Sequence, residues 1–200
     1  KYRGDTESYD NLDNANLIAV IERRKGLPIV LGILYMHIAR SLRDRCGLEI
    51  EGINFPGNFL LRLSCQNERE IIDPFEGGEI RNSPWLRSTL KTYLGQKAEL
   101  KSEYLRTVGN RGILLRLLNN IKIRHIEKEE PENALDILER MMLIAPREAA
   151  VWREAGMLQA YLNKIVTAIV TLEHYLMIEE DPRGHSEASQ MLRQLKTQLN

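Results

Sequence analysis

The spacing of hydrophobic residues changes near residue 110. Up to that point, helical spacing over residues 14–24 and a long apolar run at 27–36 are followed by short segments typical of β-strands. Beyond it, apolar residues recur at helical spacing. We therefore predict an α+β domain at residues 1–110, in which a buried helix lies against a small antiparallel sheet, and an all-α domain at residues 111–200.

The main helix of the first domain is predicted to be covered by protein. Pro28 suits a first helical turn, and Gly47 suits the position just after a helix end. Between Ile29 and Met36 the residues are apolar all round the helix, whereas a surface helix would carry a polar face. We expect the first half of this helix to lie inside the domain.

Short strands are predicted after this helix, because β-branched, aromatic and other apolar residues alternate there with polar ones. The predicted strands are 48–55, 58–65 and 69–73. In the middle strand, one face is predicted to carry Phe59, Leu61 and Leu63, and the other Asn58, Leu60 and Arg62. Residues 80–109 are predicted to be irregular or weakly helical.

The second domain contains an internal 34-residue repeat. A shift of that length places Ala134 on Ala168 and Leu138 on Leu172. A helix–turn–helix period of this length, with small residues where helices approach and a Pro after the second helix, resembles the tetratricopeptide repeat. We predict repeats at 115–148 and 149–182, followed by a capping helix at 186–199. An ordinary helical bundle with coincidental spacing is the alternative.

Composition narrows the classes of partner and compartment. Lys plus Arg and Asp plus Glu both number 28, so the formal net charge is zero, which argues against a nucleic-acid or membrane-surface binder. No apolar run reaches the roughly 18 residues of a membrane span. Cys46 and Cys65 form neither a disulfide framework nor a zinc-spaced cluster, so we expect a reduced, cytoplasmic chain without metal or cofactor. The missing initiator Met suggests a chain trimmed at its N-terminus.

Three motifs carry a family resemblance: "RRKGLPIVLGILY" (23–35), "GINFPGNFLLRL" (52–63) and "IIDPFEGG" (71–78). Their order resembles the bacterial SirB-type family, in which a transglutaminase-like core precedes tetratricopeptide repeats. The resemblance implies a papain-like geometry, with a nucleophile at the N-terminal end of the buried helix, a His at the start of one strand and an Asp on its neighbour. A helix N-terminus lowers a thiol pKa, an imidazole moves the proton, and a carboxylate orients the imidazole.

Carried over by motif, the nucleophile position falls on Val30, the His position on Asn58 and the Asp position on Asp73. Valine has no nucleophilic atom, and a carboxamide does not accept a proton near neutral pH. The resemblance therefore implies a catalytically inactive transglutaminase-like domain fused to a repeat module that binds a protein or peptide, in a regulatory or scaffold role. The alternative is a papain-like cysteine hydrolase or acyltransferase with an unorthodox site. The repeats could also serve only to stabilise the first domain.

Three other residues are conceivable substitutes for the missing groups. Cys46 lies at the C-terminal end of the buried helix, where the helix dipole disfavours a thiolate, and Cys65 lies at the far end of its strand. Both are predicted to be structural or inert. His37 is predicted to be a hydrogen-bonded core residue rather than a relocated base.

Polar residues at the hairpin have two interpretations. Asn58 and Asp73 are predicted to serve turn and cap chemistry, because short polar side chains hydrogen-bond nearby backbone groups. The functional alternative is a pocket formed by Asn58, Asp73 and Arg62 that binds a ligand without turning it over. The basic cluster at 23–25 is predicted to be a solvated turn, with an anion or carboxylate contact as the alternative.

Overall fold

The computed structural model describes residues 1–66 and 68–198, apart from the side chains of residues 44–46. Backbone contacts divide the chain into two compact units, residues 1–117 and 118–200. No helix within the described residues is both long and apolar enough to cross a membrane.

The helices are α1 (Leu17–Arg23), α2 (Pro28–Cys46), α3 (Ser83–Leu94), α4 (Asn110–Glu127), α5 (Pro131–Ile144), α6 (Ala149–Tyr161), α7 (Ile165–Ile178) and α8 (Pro182–Thr197). The strands are β1 (Arg3–Gly4), β2 (Lys25–Gly26), β3 (Glu49–Phe55), β4 (Asn58–Cys65), β5 (Glu68–Asp73), β6 (Glu79–Ile80) and β7 (Thr107–Val108). The predicted α+β class with a helical repeat is confirmed.

The first unit is built on an antiparallel sheet with the strand order β6-β5-β4-β3-β7. β1 and β2 form a separate parallel pair. In the central hairpin, Phe55 pairs with Asn58 around a two-residue turn. Pro56 occupies the first turn position and Gly57 the second, with a φ of 76°, a combination that suits a type II turn.

Helices pack against both faces of this sheet. On one side, a Cβ added to Gly32 of α2 would lie 2.4 Å from Phe59 and 3.6 Å from Leu61, so we call this the α2 face. On the other side, Leu60 forms a buried cluster with Leu86 and Leu90 of α3, so we call this the α3 face. Because α3 covers the second face, Leu60 is as fully buried as Leu61.

Residues 80–109 were predicted to be irregular or weakly helical, but part of this segment forms the regular helix α3. Asn82 caps it by accepting a hydrogen bond from the Trp85 backbone N–H at 3.0 Å, and Gly95 follows its last residue. Leu86 and Leu90, at the helical spacing i, i+4, form its buried face. The cap and this apolar pair are sequence signals of a helix, but the pair is short and polar residues surround it.

In the second unit, residues that are 34 positions apart have similar burial and a similar backbone conformation. Ala134 and Ala168 are fully buried, whereas Leu143 and Met177 are 83% and 80% exposed. Turn residues show the same correspondence: Glu129 lies between α4 and α5, and its counterpart under the shift, Asn163, lies between α6 and α7, each with a φ of 58°. The apolar and the turn positions therefore repeat together.

Close helix contact in the repeat depends on a glycine. A Cβ added to Gly156 of α6 would lie 2.7 Å from the Leu172 side chain of α7. The last helix, α8, begins at Pro182, one helical turn before the predicted start at Ser186. Asp181 caps it by accepting from the Gly184 N–H at 3.1 Å, and Pro182 occupies a first-turn position instead of ending the repeat.

Candidate functional site

The N-terminal end of α2, where the resemblance expects a nucleophile, is apolar. Leu27 precedes the helix and makes no side-chain capping hydrogen bond, and Pro28 follows it. Val30 lies in the first turn and is 1% exposed. The dipole at this helix end favours negative charge, but a valine side chain offers no atom that could carry it.

Strand register brings Asn58 and Asp73 to one face of the sheet. Leu61 pairs with Ile72, so one step further along the ladder Leu60 lies opposite Asp73. Residues directly opposite point to the same side, and side chains two apart on a strand share a face. Asn58 and Asp73 therefore lie on the α3 face, whereas Val30 belongs to the helix that packs against the α2 face.

Asp73 is buried, and its carboxylate is bound by other groups of the same unit. Oδ1 accepts a hydrogen bond from the Phe75 backbone N–H at 2.9 Å, the geometry of a turn cap. Oδ2 accepts from Nε and Nη2 of Arg81 at 3.2 and 3.1 Å. The same guanidinium lies 4.4 Å from the Trp85 ring centroid. The cap was predicted from the sequence but Arg81 was missed, because nothing in the order of residues indicates that β6 returns it to Asp73.

Arg62, the third member of the predicted pocket, also lies on the α3 face. Its guanidinium donates to the Leu105 carbonyl and lies 3.7 Å from the Glu51 carboxylate. It lines a depression of about 600 Å³ together with Ser102, Leu105, Arg106 and Thr107. A ligand-binding role for Asn58, Asp73 and Arg62 stays a prediction.

The possible substitute groups lie in other places. Cys65 is half-buried at the last position of β4, at the opposite end of the strand from Asn58, or about 23 Å along an extended chain. The side chain of Cys46 lies outside the described residues. His37 is exposed on α2, so its prediction as a core residue is wrong. The preceding residue, Met36, is buried, whereas the side chain of His37 lies on the solvent-facing side of the helix.

Two residues of the basic cluster at 23–25, Arg23 and Lys25, pair with carboxylates of the chain itself. Arg23 donates to Asp5 at 2.7 Å and to the Asn14 side chain at 3.1 Å. Lys25 contacts Glu7 at 2.6 Å. The prediction of a merely solvated turn is therefore wrong for these two residues, and the carboxylate contact that was its alternative is present.

Asp5 is the centre of this network. Its carboxylate accepts from the Ser8 hydroxyl at 2.9 Å and from the backbone N–H groups of Glu7 and Ser8. Burial raises the pKa of Asp5, but the hydrogen bonds from Ser8 and Glu7 outweigh it and lower the pKa from 3.8 to about 2. The network anchors the N-terminal segment beside α1.

The repeat unit carries two adjoining depressions, an apolar one of about 380 Å³ and one of about 500 Å³ with a mixed polar and apolar lining, and we call the two together the repeat groove. Met157 and Tyr161 of α6 line both of them. Ile126 of α4 lies in the first depression, and Met191 of α8 lies in the second. Across the described residues, no three His, Cys, Asp or Glu side chains come together in a way that could hold a metal ion.

Comparison with known families agrees with this architecture. The profile of the transglutaminase-like superfamily matches residues 1–119, and a tetratricopeptide-repeat profile matches residues 121–200. The chain therefore belongs to the transglutaminase-like superfamily, with a tetratricopeptide-repeat segment after its core.

Curated relatives extend the match over most of the chain. A UPF0162 protein of Vibrio cholerae is 32% identical over 200 residues, which cover 100% of this chain and 70% of the relative. A UPF0162 protein of Xylella fastidiosa is 29% identical over 180 residues, 88% of this chain and 63% of the relative. Protein SirB1 of Salmonella typhimurium is 28% identical over 165 residues, 82% of this chain and 60% of the relative. The predicted SirB-type resemblance is confirmed, and the chain spans 60 to 70% of these relatives' length.

Proposed function

We propose that this chain is a catalytically inactive transglutaminase-like domain joined to a protein-interaction module, with a regulatory or scaffold role. Catalytic inactivity is supported by the hydrogen bonds of Asp73. Its two carboxylate oxygens are bound by the Phe75 N–H and the Arg81 guanidinium. A triad carboxylate would instead orient an imidazole. Asn58 supplies no imidazole, and Val30 supplies no nucleophile.

Geometry also argues against Cys65 as an unorthodox nucleophile. Cys65 lies about 23 Å from Asn58 along β4. Because successive side chains on a strand point to opposite faces, Cys65 lies on the α2 face, whereas Asn58 lies on the α3 face. A nucleophile has to lie within about 3 Å of its base. The alternative function, a cysteine hydrolase or acyltransferase, would need a thiol on the other face of the sheet, at the opposite end of the strand.

Two substrates test the absence of catalysis. The native protein and the Asp73→Asn variant are incubated with a glutamine-containing peptide plus a primary amine, and separately with an activated ester. We expect neither protein to exceed the buffer rate. Turnover by the native protein that disappears in a folded Asp73→Asn variant would overturn the proposal, and so would rapid labelling of Cys65 by iodoacetamide at neutral pH that blocks such turnover.

The repeat groove supports the second half of the proposal. Stacked helix pairs form grooves that hold extended peptides or partner helices, and Met157 and Tyr161 give this groove an exposed apolar lining. Met157→Asp should abolish retention of a partner in quantitative affinity capture. Met177→Asp is the matched control, because Met177 is equally a methionine, is exposed on α7 and lines neither depression. Equal loss of the partner in both variants would argue against the groove.

A further inference from the structure

A long apolar trough of about 840 Å³ lies beside α2 on the α2 face of the sheet, and we call it the α2 groove. Its wall is a single stripe of α2 with the helical spacing i, i+3, i+4, i+7, i+8 and i+11, formed by Leu31, Leu34, Tyr35, Ile38, Ala39 and Leu42. At 1.5 Å per residue the stripe is about 16 Å long, which is three helical turns.

The floor of the α2 groove follows from strand register. Leu63 pairs with Glu70, and Ile72 pairs with both Leu61 and Ile80, so these side chains all point to the α2 face. The groove is lined by Leu63, Glu70, Ile72 and Ile80. Register and lining agree, which identifies the floor as the α2-face surface of β5 and β6 together with Leu63 of β4 and its cross-strand partner, Ile50 of β3.

The uncovered part of this face has the width of one helix. α2 packs on β3 and β4, so β5 and β6 form the floor beside it, where Ile72 is buried and Ile80 is exposed. Neighbouring strands lie about 4.8 Å apart, so two strands present a strip about 10 Å wide. A helix with its side chains is about 10 Å across, and packed helices lie about 8–10 Å apart. A second helix alongside α2 would fill this strip.

Apolar side chains around the groove reach solvent. Ile38 on the α2 wall is 57% exposed, and Ile80 on the opposite side is 62% exposed. Single exposed apolar residues are ordinary, but a contiguous set around one trough marks a binding surface. An amphipathic helix that binds another protein lays its apolar face into a hydrophobic groove of this kind.

Charge distinguishes the two ends of the groove. Glu68 and Glu70 lie on the first half of β5 and are both exposed. Lys1 lines the opposite end, beyond the end of β5, where its side chain lies against Gly77. Among the described lining residues these three carry the charge, so a partner that lies over the first half of β5 meets two carboxylates.

We propose that the α2 groove binds an amphipathic α-helix of another protein, about three turns long, whose apolar i, i+3, i+4 and i+7 side chains pack between α2 and β5–β6. Lys or Arg residues on one edge of that helix face Glu68 and Glu70. This site is independent of the repeat groove and of the catalytic state of the first unit.

Designed peptides test the proposal by fluorescence anisotropy. The probe is a fluorescein-labelled Leu/Lys amphipathic peptide of about 14 residues, compared with a Leu/Glu peptide that has the same apolar face. The Met157→Asp background removes the repeat groove from the measurement. We expect the Leu/Lys peptide to bind at least about tenfold more tightly at low salt. Glu68→Gln with Glu70→Gln should bring the two affinities within about threefold.

Substitutions in the apolar lining locate the binding. Ile80→Asp and, independently, Ile38→Asp should each weaken Leu/Lys binding at least about tenfold. Ile18→Asp on α1 is the matched control, since Ile18 is 70% exposed and lies outside the groove, and it should leave affinity unchanged within about twofold.

Several outcomes would overturn the proposal. Equal affinity for both peptides, or insensitivity to both Ile80→Asp and Ile38→Asp, would exclude a basic helix in this groove. Ile80-dependent binding of dodecyltrimethylammonium with no binding of either peptide would assign the groove to a small amphiphile. A dimer in sedimentation equilibrium that Ile80→Asp dissociates would assign it to a second copy of the chain.

Discussion

Arg81 binds Asp73 through two nitrogens of its guanidinium, Nε and Nη2, which lie 3.2 and 3.1 Å from the same carboxylate oxygen. The two side chains are 12% and 5% exposed. Arg81 is held in turn by the Trp85 ring beneath it. The position that the family resemblance assigns to a catalytic carboxylate is thus part of a buried ion pair that joins β5 to the start of α3.

Breaking this pair should destabilise the first unit. Arg81→Met leaves the Asp73 carboxylate buried without its cation, so we expect the free energy of unfolding in urea to fall by about 3 kcal/mol. The double variant Asp73→Asn with Arg81→Met should recover part of that loss, because no charge is then left uncompensated. Glu79→Gln removes the exposed partner of Arg81 and should cost less than about 0.5 kcal/mol. A similar cost for Arg81→Met and Glu79→Gln would contradict the pairing.

Most features set by local sequence could be predicted, except α3 and the start of α8, and features set by distant contacts could not. The repeat period, the hairpin at Pro56–Gly57 and the start of α2 each depend on neighbouring residues or on simple periodicity. The exposure of His37 depends instead on which sector of α2 the sheet covers. That sector is decided by Phe59 and Leu61, which lie on a strand that follows much later in the sequence.

The same limit explains what was missed around the candidate site. Leu60 looks like a break in the alternation of β4 until α3 is placed over it. The partner of Asp73 is Arg81, and the partner of Arg23 is Asp5, and neither pair follows a helical or strand spacing. The residues at Val30, Asn58 and Asp73 could be singled out from motifs alone, but their electrostatic environment could be found only from the structure.

Gly156 should be intolerant of even a methyl group. The Cβ of Gly156→Ala would lie 2.7 Å from the Leu172 side chain, so either that side chain or its helix would have to shift, and we expect a loss of about 1–3 kcal/mol in the free energy of unfolding. Gly112→Ala is the matched control, because its Cβ would meet only Val108, at 3.6 Å. That change should be neutral or stabilise by up to about 1 kcal/mol, as expected for Gly to Ala in a helix. Equal changes in the free energy of unfolding for Gly156→Ala and Gly112→Ala would mean that the contact with α7 does not restrict the residue at position 156.

Residues related by the 34-residue shift should respond alike to truncation. Leu138→Ala and Leu172→Ala each empty a fully buried site, so each should lower the free energy of unfolding by about 2–5 kcal/mol. Leu143→Ala changes a side chain that is 83% exposed and should alter stability by less than about 0.5 kcal/mol. Thermal and urea unfolding of the three variants measure this. A large cost at only one of the two buried leucines would argue against equivalent repeats.

Asp5 should make the free energy of unfolding fall at acidic pH. Hydrogen bonds in the folded chain hold its pKa at about 2, below the ordinary value of 3.8, so the folded state keeps this carboxylate ionised where the unfolded state already binds a proton. The contribution to stability is therefore complete above about pH 4 and is lost as the pH falls through about 2. Urea unfolding at a series of pH values should show a steep decline over this interval that is flatter in Asp5→Asn. Asp13→Asn, the same change at an exposed carboxylate, should keep the native slope, and an unchanged slope in Asp5→Asn would show that the network around Ser8 and Arg23 does not control acid stability.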